Sequence, residues 1–357
     1  MSTYEKTFAK SAKTDAILVV DRKKLHVNKA VLSYHSDYFN ALFNSDFKEK
    51  SMEEIEIKDV WFDYFAQCLS LVQNGPMKIS ERELDSLLPI ADQFQLPAAK
   101  HHLEQILMTT NQDRESLLKI ADKYKLDTVM DRVLSEFKEK KDFFMWWTAH
   151  KQPLECIANA SDETKNKLFH RALELGDDFS KPATPTPTVS IYESTFAKSD
   201  KTDAILLVDG KKLHVNKALL SYHSDYFNAL FNSEFKEKSI EEIPIEDVNF
   251  ENFATLLSMV QIQPIAPTNY NAENILELSD QFQLRVARRH IELFLLSSGM
   301  HNLEKIRIGE KYEMEDLLEF GVRHLELAHF KNLPEKSVYK GFSSETKNKL
   351  FYRYLRI

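Results

Sequence analysis

The chain has 357 residues, 43% of them apolar and 29% charged, with a formal net charge of −8 and only seven glycines. These values describe a helix-rich globular chain long enough for two or three domains. The excess of carboxylates disfavours nucleic acid or an anionic membrane as partner, since both are held mainly by clustered Lys and Arg.

Residues 16–20 and 24–27 are β-prone runs on either side of Asp21-Arg22 and predict a hairpin. A two-residue hairpin turn wants positive φ at both positions, a conformation Arg22 takes only at a cost. Asn28 and Ser36 stand as N-caps ahead of helices over 29–34 and 37–43, and the second of these lines up Phe39, Leu42 and Phe43 as a buried stripe. Ile55 and Ile57 alternate with charges and predict a third strand over 54–58. From there the pattern is helical. Phe62, Phe65, Leu69 and Val72 mark one helix, closed by Asn74-Gly75-Pro76. Ser80-Glu81-Arg82-Glu83 is a capping box that opens the next, followed by a helix through Leu103, Ile106 and Leu107. Further helices are predicted over 115–125 and 128–138, and a last one from Ser161 with Asp162 and Glu163 in its first turn. The spaced prolines between Asp178 and Thr188 predict a semi-extended linker, roughly 3 Å per residue.

Beyond the linker the chain repeats itself. Tyr4 to Gln73 aligns without a gap on Tyr192 to Gln261, and only 15 of those 70 pairs differ. The offset of 188 carries Asp92-Gln93-Phe94 onto Asp280-Gln281-Phe282 and Lys123-Tyr124 onto Lys311-Tyr312. Near the ends it becomes 182, because residues 163–169 match residues 345–351. So large a period is a whole domain written twice. The second copy spells the hairpin turn Asp209-Gly210, the strongest two-residue hairpin signal.

Two cysteines, Cys68 and Cys156, are too few for a disulfide framework or a Cys-rich zinc site, so a reducing compartment is expected. No apolar run reaches membrane-spanning length and the N-terminus is polar, so the expected location is cytoplasm or nucleus. Cys68 lies on the buried side of its helix, has Leu256 as its counterpart in the second copy, and reads as a small core residue. His26 and His214 at strand ends, and the adjacent pair His101-His102, lack partners at ligand spacing and read as structural. With no Gly-rich phosphate loop, paired carboxylates or Ser/His/Asp order in either half, neither cofactor nor catalysis is expected.

One script runs through both copies. It reads Leu25-His26-Val27, Lys29, Val31-Leu32, Ser36, Tyr38-Phe39, Leu42-Phe43, Phe47-Lys48-Glu49, and again Leu213-His214-Val215, Lys217, Leu219-Leu220, Ser224, Tyr226-Phe227, Leu230-Phe231, Phe235-Lys236-Glu237. This resembles the BTB (POZ) domain, closest to the nematode-type proteins that often carry a MATH domain. The resemblance implies an α+β, helix-rich fold of two tandem BTB domains over 8–108 and 191–296. It also implies short helical, BACK-like extensions over 109–177 and 297–357 and a Pro/Thr-rich linker over 178–190. BTB domains pair through their first strand and first two helices, which implies Val31, Leu32, Tyr38, Leu219, Leu220 and Tyr226 as the pairing surface. Many also bind cullin-3 through an apolar-x-Glu triplet after the second helix, which Phe47-x-Glu49 and Phe235-x-Glu237 match. The implied function is that of a non-enzymatic adaptor or scaffold joining an unidentified substrate protein to a cullin-3 ubiquitin ligase. The alternative is a pairing module that titrates other BTB proteins without recruiting a ligase. A BTB zinc-finger transcription factor is disfavoured by the cysteine count and the charge.

Overall fold

A computed structural model describes residues 3–44, 52, 54–73, 76–149, 159–175, 190–232, 242–331 and 333–357. The chain divides after Ala197 into two compact units.

In the first unit a short helix α1 (Thr3–Thr7) precedes strands β1 (Ala16–Val20) and β2 (Lys23–Val27). The two strands pair antiparallel with Leu18 opposite Leu25. Their turn places Asp21 at φ 48 and Arg22 at φ 64, the double positive-φ geometry that the sequence predicts. Helices α2 (Lys29–His35) and α3 (Asp37–Asn44) follow, and β3 (Glu54–Glu56) then pairs parallel to β1, giving the sheet order β2-β1-β3. Leu18, Leu25, Val27 and Ile55 form the covered face of this sheet. Then come α4 (Phe62–Ser70), α5 (Leu84–Gln93) and α6 (Pro97–Leu107), α5 packing on both its neighbours, and they bury Phe65, Leu69, Leu87 and Leu103.

The expected capping box is present, with the Ser80 amide donating to Glu83 Oε2 at 2.7 Å. It caps a single 3-10 turn before α5 proper. The extension consists of α7 (Arg114–Tyr124), α8 (Asp127–Ser135), α9 (Lys140–Ala149) and α10 (Asp162–Glu174). Neither α1 nor α9 is marked by its sequence. The first is too short to show a period, and the second is apolar all round, with Phe143 and Trp146 packed on Phe137 at 4.9 and 5.1 Å between ring centres.

The second copy repeats the order with α11 (Ile191–Thr195), β4 (Ala204–Val208), β5 (Lys211–Val215), α12 (Lys217–His223), α13 (Asp225–Asn232), β6 (Glu242–Pro244), α14 (Phe250–Ser258), α15 (Ala272–Gln281) and α16 (Arg285–Ser297). Its extension begins with α17 (Asn302–Lys311) and α18 (Glu315–Arg323). Then comes the six-residue deletion. In place of a counterpart to α9 stand α19 (Leu327–Phe330), a 3-10 turn over Leu333–Glu335 and α20 (Ser337–Gly341), before α21 (Ser344–Tyr354) closes the chain. These short pieces deliver Leu333 and Phe342 to a core shared with Leu303, Ile306, Leu325 and Leu350.

Helix ends are turned without glycine. Gln95, Lys125, Gln283 and Glu313 all take φ between 49 and 53, and the residue after each donates its amide five residues back, as Leu96 does to the Ala91 carbonyl at 2.8 Å. That repeated use of left-handed Gln, Lys and Glu is how so few glycines suffice. Among the described residues no helix is long and apolar enough to cross a membrane.

Candidate protein-interaction surface

The α2–α3 pair is fixed by hydrogen bonds that recur in both copies. Asn28 accepts from the Val31 amide at 2.9 Å and so caps α2, while Asp15 accepts from the Lys29 amide at 2.7 Å. Ser36 serves twice. Its hydroxyl accepts from the Phe39 amide at 3.0 Å, capping α3, and donates to the Phe94 carbonyl at 2.7 Å, tying α3 to the end of α5. Ser224 repeats both bonds, to the Phe227 amide at 3.0 Å and the Phe282 carbonyl at 2.6 Å.

Phe94 then sets the exposed aromatic. Its ring stacks on Phe39 and meets the edge of Tyr38 at 5.0 Å, and Tyr226 meets Phe282 at 4.9 Å in the second copy. Tyr38 and Tyr226 are each 37% exposed, with the ring edge-on to a buried phenylalanine. Of the six residues expected at a pairing surface, these two stand at the surface. The other four do not. Val31, Leu32, Leu219 and Leu220 are buried, because with His35 and His223 they form the inward faces of α2 and α12. The buried stripe of α3 likewise narrows to Phe39 and Phe43, with Leu42 only partly covered.

The triplet residues Phe47, Glu49, Phe235 and Glu237 lie outside the described residues, as do Cys156, the C-cap Asn74-Gly75 and the linker up to Val189. The flanks of the triplets are α3, ending at Asn44, and β3, starting at Glu54, with Asn232 and Glu242 in the same places in the second copy.

The remaining singled-out residues have structural surroundings. Cys68 is fully buried and its thiol is pushed up to about 12 by that burial, so it carries no thiolate at neutral pH. His26 and His214 are half-covered on β2 and β5. His101 stands 3.7 Å from the Glu104 carboxylate, the place where Arg289 pairs with Glu292 in the second copy at 2.6 Å, while His102 is buried. Glu104 also accepts from the Thr128 amide at 2.8 Å, which caps α8. Among the described residues no group of three His, Cys, Asp or Glu side chains could hold a metal ion.

Trp61 is among the exposed aromatics that the sequence does not mark. Trp61 is 77% exposed at the N-cap of α4 and makes no side-chain cap, whereas its counterpart Asn249 accepts from the Asn252 amide at 3.0 Å. The comparison of the two copies carries that signal, since a capping Asn has given way to a Trp, the residue type most enriched at binding hot spots.

Among known proteins, the BTB/POZ domain matches residues 4–111 and again residues 192–299. The chain belongs to the BTB/POZ family. A BTB/POZ domain-containing protein of Caenorhabditis elegans is 33% identical over 164 residues, 45% of this chain and 52% of that protein. BTB and MATH domain-containing protein 45 of the same animal is 24% identical over 334 residues, 92% of this chain and 62% of its own length. Kelch-like protein 1 of Mus musculus is 28% identical over 136 residues, 34% of this chain and 18% of that protein. The chain thus spans about half the length of curated relatives it matches. As a tandem BTB/POZ protein it has a protein-interaction role.

Proposed function

We propose that this tandem BTB/POZ protein is a non-enzymatic adaptor or scaffold that brings a bound protein to a cullin-3 ubiquitin ligase. Phe47 with Glu49 in the first domain, and Phe235 with Glu237 in the second, are the residues assigned to cullin contact. The observation that carries this reading is the recurrence of the apolar-x-Glu triplet at the same place in both copies, between α3 and β3 and between α13 and β6. An aromatic side chain there is the kind of anchor that dominates protein interfaces.

The test is capture of cullin-3 by the intact chain carrying Phe47→Ala together with Phe235→Ala. Truncating a hot-spot aromatic costs about 2 kcal/mol or more, so capture is expected to weaken at least about thirtyfold with the thermal melt unchanged. Undiminished capture removes the adaptor reading, and a collapsed melt shows both rings to be core. The matched exposure of Tyr38 and Tyr226 supports a second reading, a pairing module that titrates other BTB proteins. In that case the phenylalanine variants leave binding untouched and Tyr38→Ala with Tyr226→Ala abolishes it.

A further inference from the structure

The last segment of the chain inverts its charge. Residues 327–357 hold seven Lys and Arg against two Glu, in a protein whose net charge is −8. The same segment encloses an apolar groove of about 490 Å³ between α19, α20 and α21. Leu333 and Leu350 form its floor and belong to the core of the extension. Phe330 and Tyr354, 5.3 Å apart between ring centres, form one wall. Lys331 and Lys347 stand at the rim, and among the described residues no carboxylate lines the groove.

Comparison of the copies shows how the rim differs: Lys347 faces the Glu310 carboxylate as Lys165 faces Asp122, but it lacks the second acid, one turn away, that Lys165 has. In the first copy Lys165 lies 3.8 Å from Asp162, one helical turn away. Its counterpart is Lys347, and the place of Asp162 is taken by Ser344. Among the described residues neither Lys331 nor Lys347 forms an ion pair, and the Lys347 ammonium donates to the Lys340 carbonyl at 3.2 Å. The wall is also particular to the second copy, since Tyr354 replaces Ala172. The substitutions that distinguish this helix from its sibling thus add an aromatic wall and remove an acid.

We propose that the groove is a docking site for an acidic peptide with apolar anchors. Its floor takes Leu- or Phe-type side chains, and Lys331 and Lys347 meet flanking Asp or Glu. The choice of an acidic partner follows from charge complementarity: the remainder of the chain, strongly acidic, repels such a peptide, and the basic terminus attracts it. A volume of this size holds two or three side chains, on the scale of ordinary ligand pockets of about 300–1,000 Å³. The proposal adds a cargo surface to the interaction role and does not depend on cullin capture.

The experiment selects a displayed library of random short peptides on the intact chain, then measures the enriched peptide, fluorescein-labelled, by polarisation. Enrichment of sequences combining Asp or Glu with Leu, Phe or Trp is expected. Lys331→Glu with Lys347→Glu should weaken binding at least about tenfold, and Tyr354→Ala, which installs the first copy's residue, should do the same with the melt unchanged. Four outcomes overturn the proposal: no acidic enrichment, binding indifferent to these variants, tighter binding of dodecanoate that displaces the peptide, or a doubling of mass that the variants abolish. The last two assign the groove to a lipid-like acid or to a second copy of this chain.

Discussion

The hairpin turn shows the physics of a single residue most cleanly, because the chain runs its own comparison. Asp21-Arg22 and Asp209-Gly210 adopt the same turn, with φ of 48 and 64 in one and 49 and 74 in the other. Arg22 is exposed, and a Cβ on Gly210 meets nothing within 4 Å. The cost at Arg22 is therefore backbone strain alone. Arg22→Gly is expected to stabilise the first half by about 0.5–1 kcal/mol, read as a raised urea midpoint for that half expressed alone, and a lowered midpoint defeats the argument. This turn was legible in the sequence because the second copy spells it in glycine. Val31 and Leu32 were not legible in the same way. Their assignment to a pairing surface came from the resemblance, whereas the placement of Val31, Leu32 and His35 on one side of α2 turns that face inward.

At the scale of elements, the two extensions solve one problem with cations from different helices. The end of α6 leaves carbonyls without helical partners, and Arg132 on α8 donates to those of Met108 and Thr110 at 2.9 and 3.1 Å. The matching carbonyls of α16, Leu296 and Ser298, are taken at 3.1 and 2.8 Å by Lys305. Lys305 occupies the place of Leu117 on α7, and Phe320 occupies the place of Arg132. The cation has crossed between helices, and the ring of Phe320 now lies 4.7 Å from the Lys305 ammonium.

A double-mutant cycle follows from this exchange. Lys305→Leu alone leaves two partly buried carbonyls without the lysine's hydrogen bonds and is expected to cost about 1–3 kcal/mol, while adding Phe320→Arg restores most of it. Additive losses in the urea midpoints contradict the exchange. Burial also pushes the Lys305 ammonium down to about 8 from 10.5. Its folded value lies below its unfolded value, so between those limits the unfolded chain binds more protons and stability rises with pH. The wild type should therefore gain on the order of 1 kcal/mol relative to Lys305→Leu between pH 8 and 10.5, and no relative gain means the ammonium is not desolvated. Helix positions were legible here from period and caps, as with Ser161, which accepts from the Thr164 amide at 3.2 Å. The exchange was not, because it becomes visible only when α7 and α8 are laid side by side.

For the whole molecule the question is what two near-identical domains do in one chain. Residues 24–42 and 212–230 differ only at Val31 and Leu219, and both of those are buried, so the exposed faces of α2–α3 and α12–α13 carry the same side chains. A surface that pairs with its like across a two-fold axis cannot distinguish its sibling from a second chain. Tethering then decides. A flexible linker that spans the sites gives an effective concentration in the millimolar range, well above that of free chains, so internal pairing should win over the homodimer. The spaced prolines between Asp178 and Thr188 work against closure if they stiffen the connection in the wrong direction, and chains would then join into open arrays. We predict a pseudo-two-fold monomer. Light scattering behind a sizing column should return one chain mass at every loading concentration, and Tyr38→Ala with Tyr226→Ala should expand the particle without changing that mass. A dimer mass, or a ladder that grows with concentration, excludes internal pairing and makes the protein a crosslinker of other BTB chains.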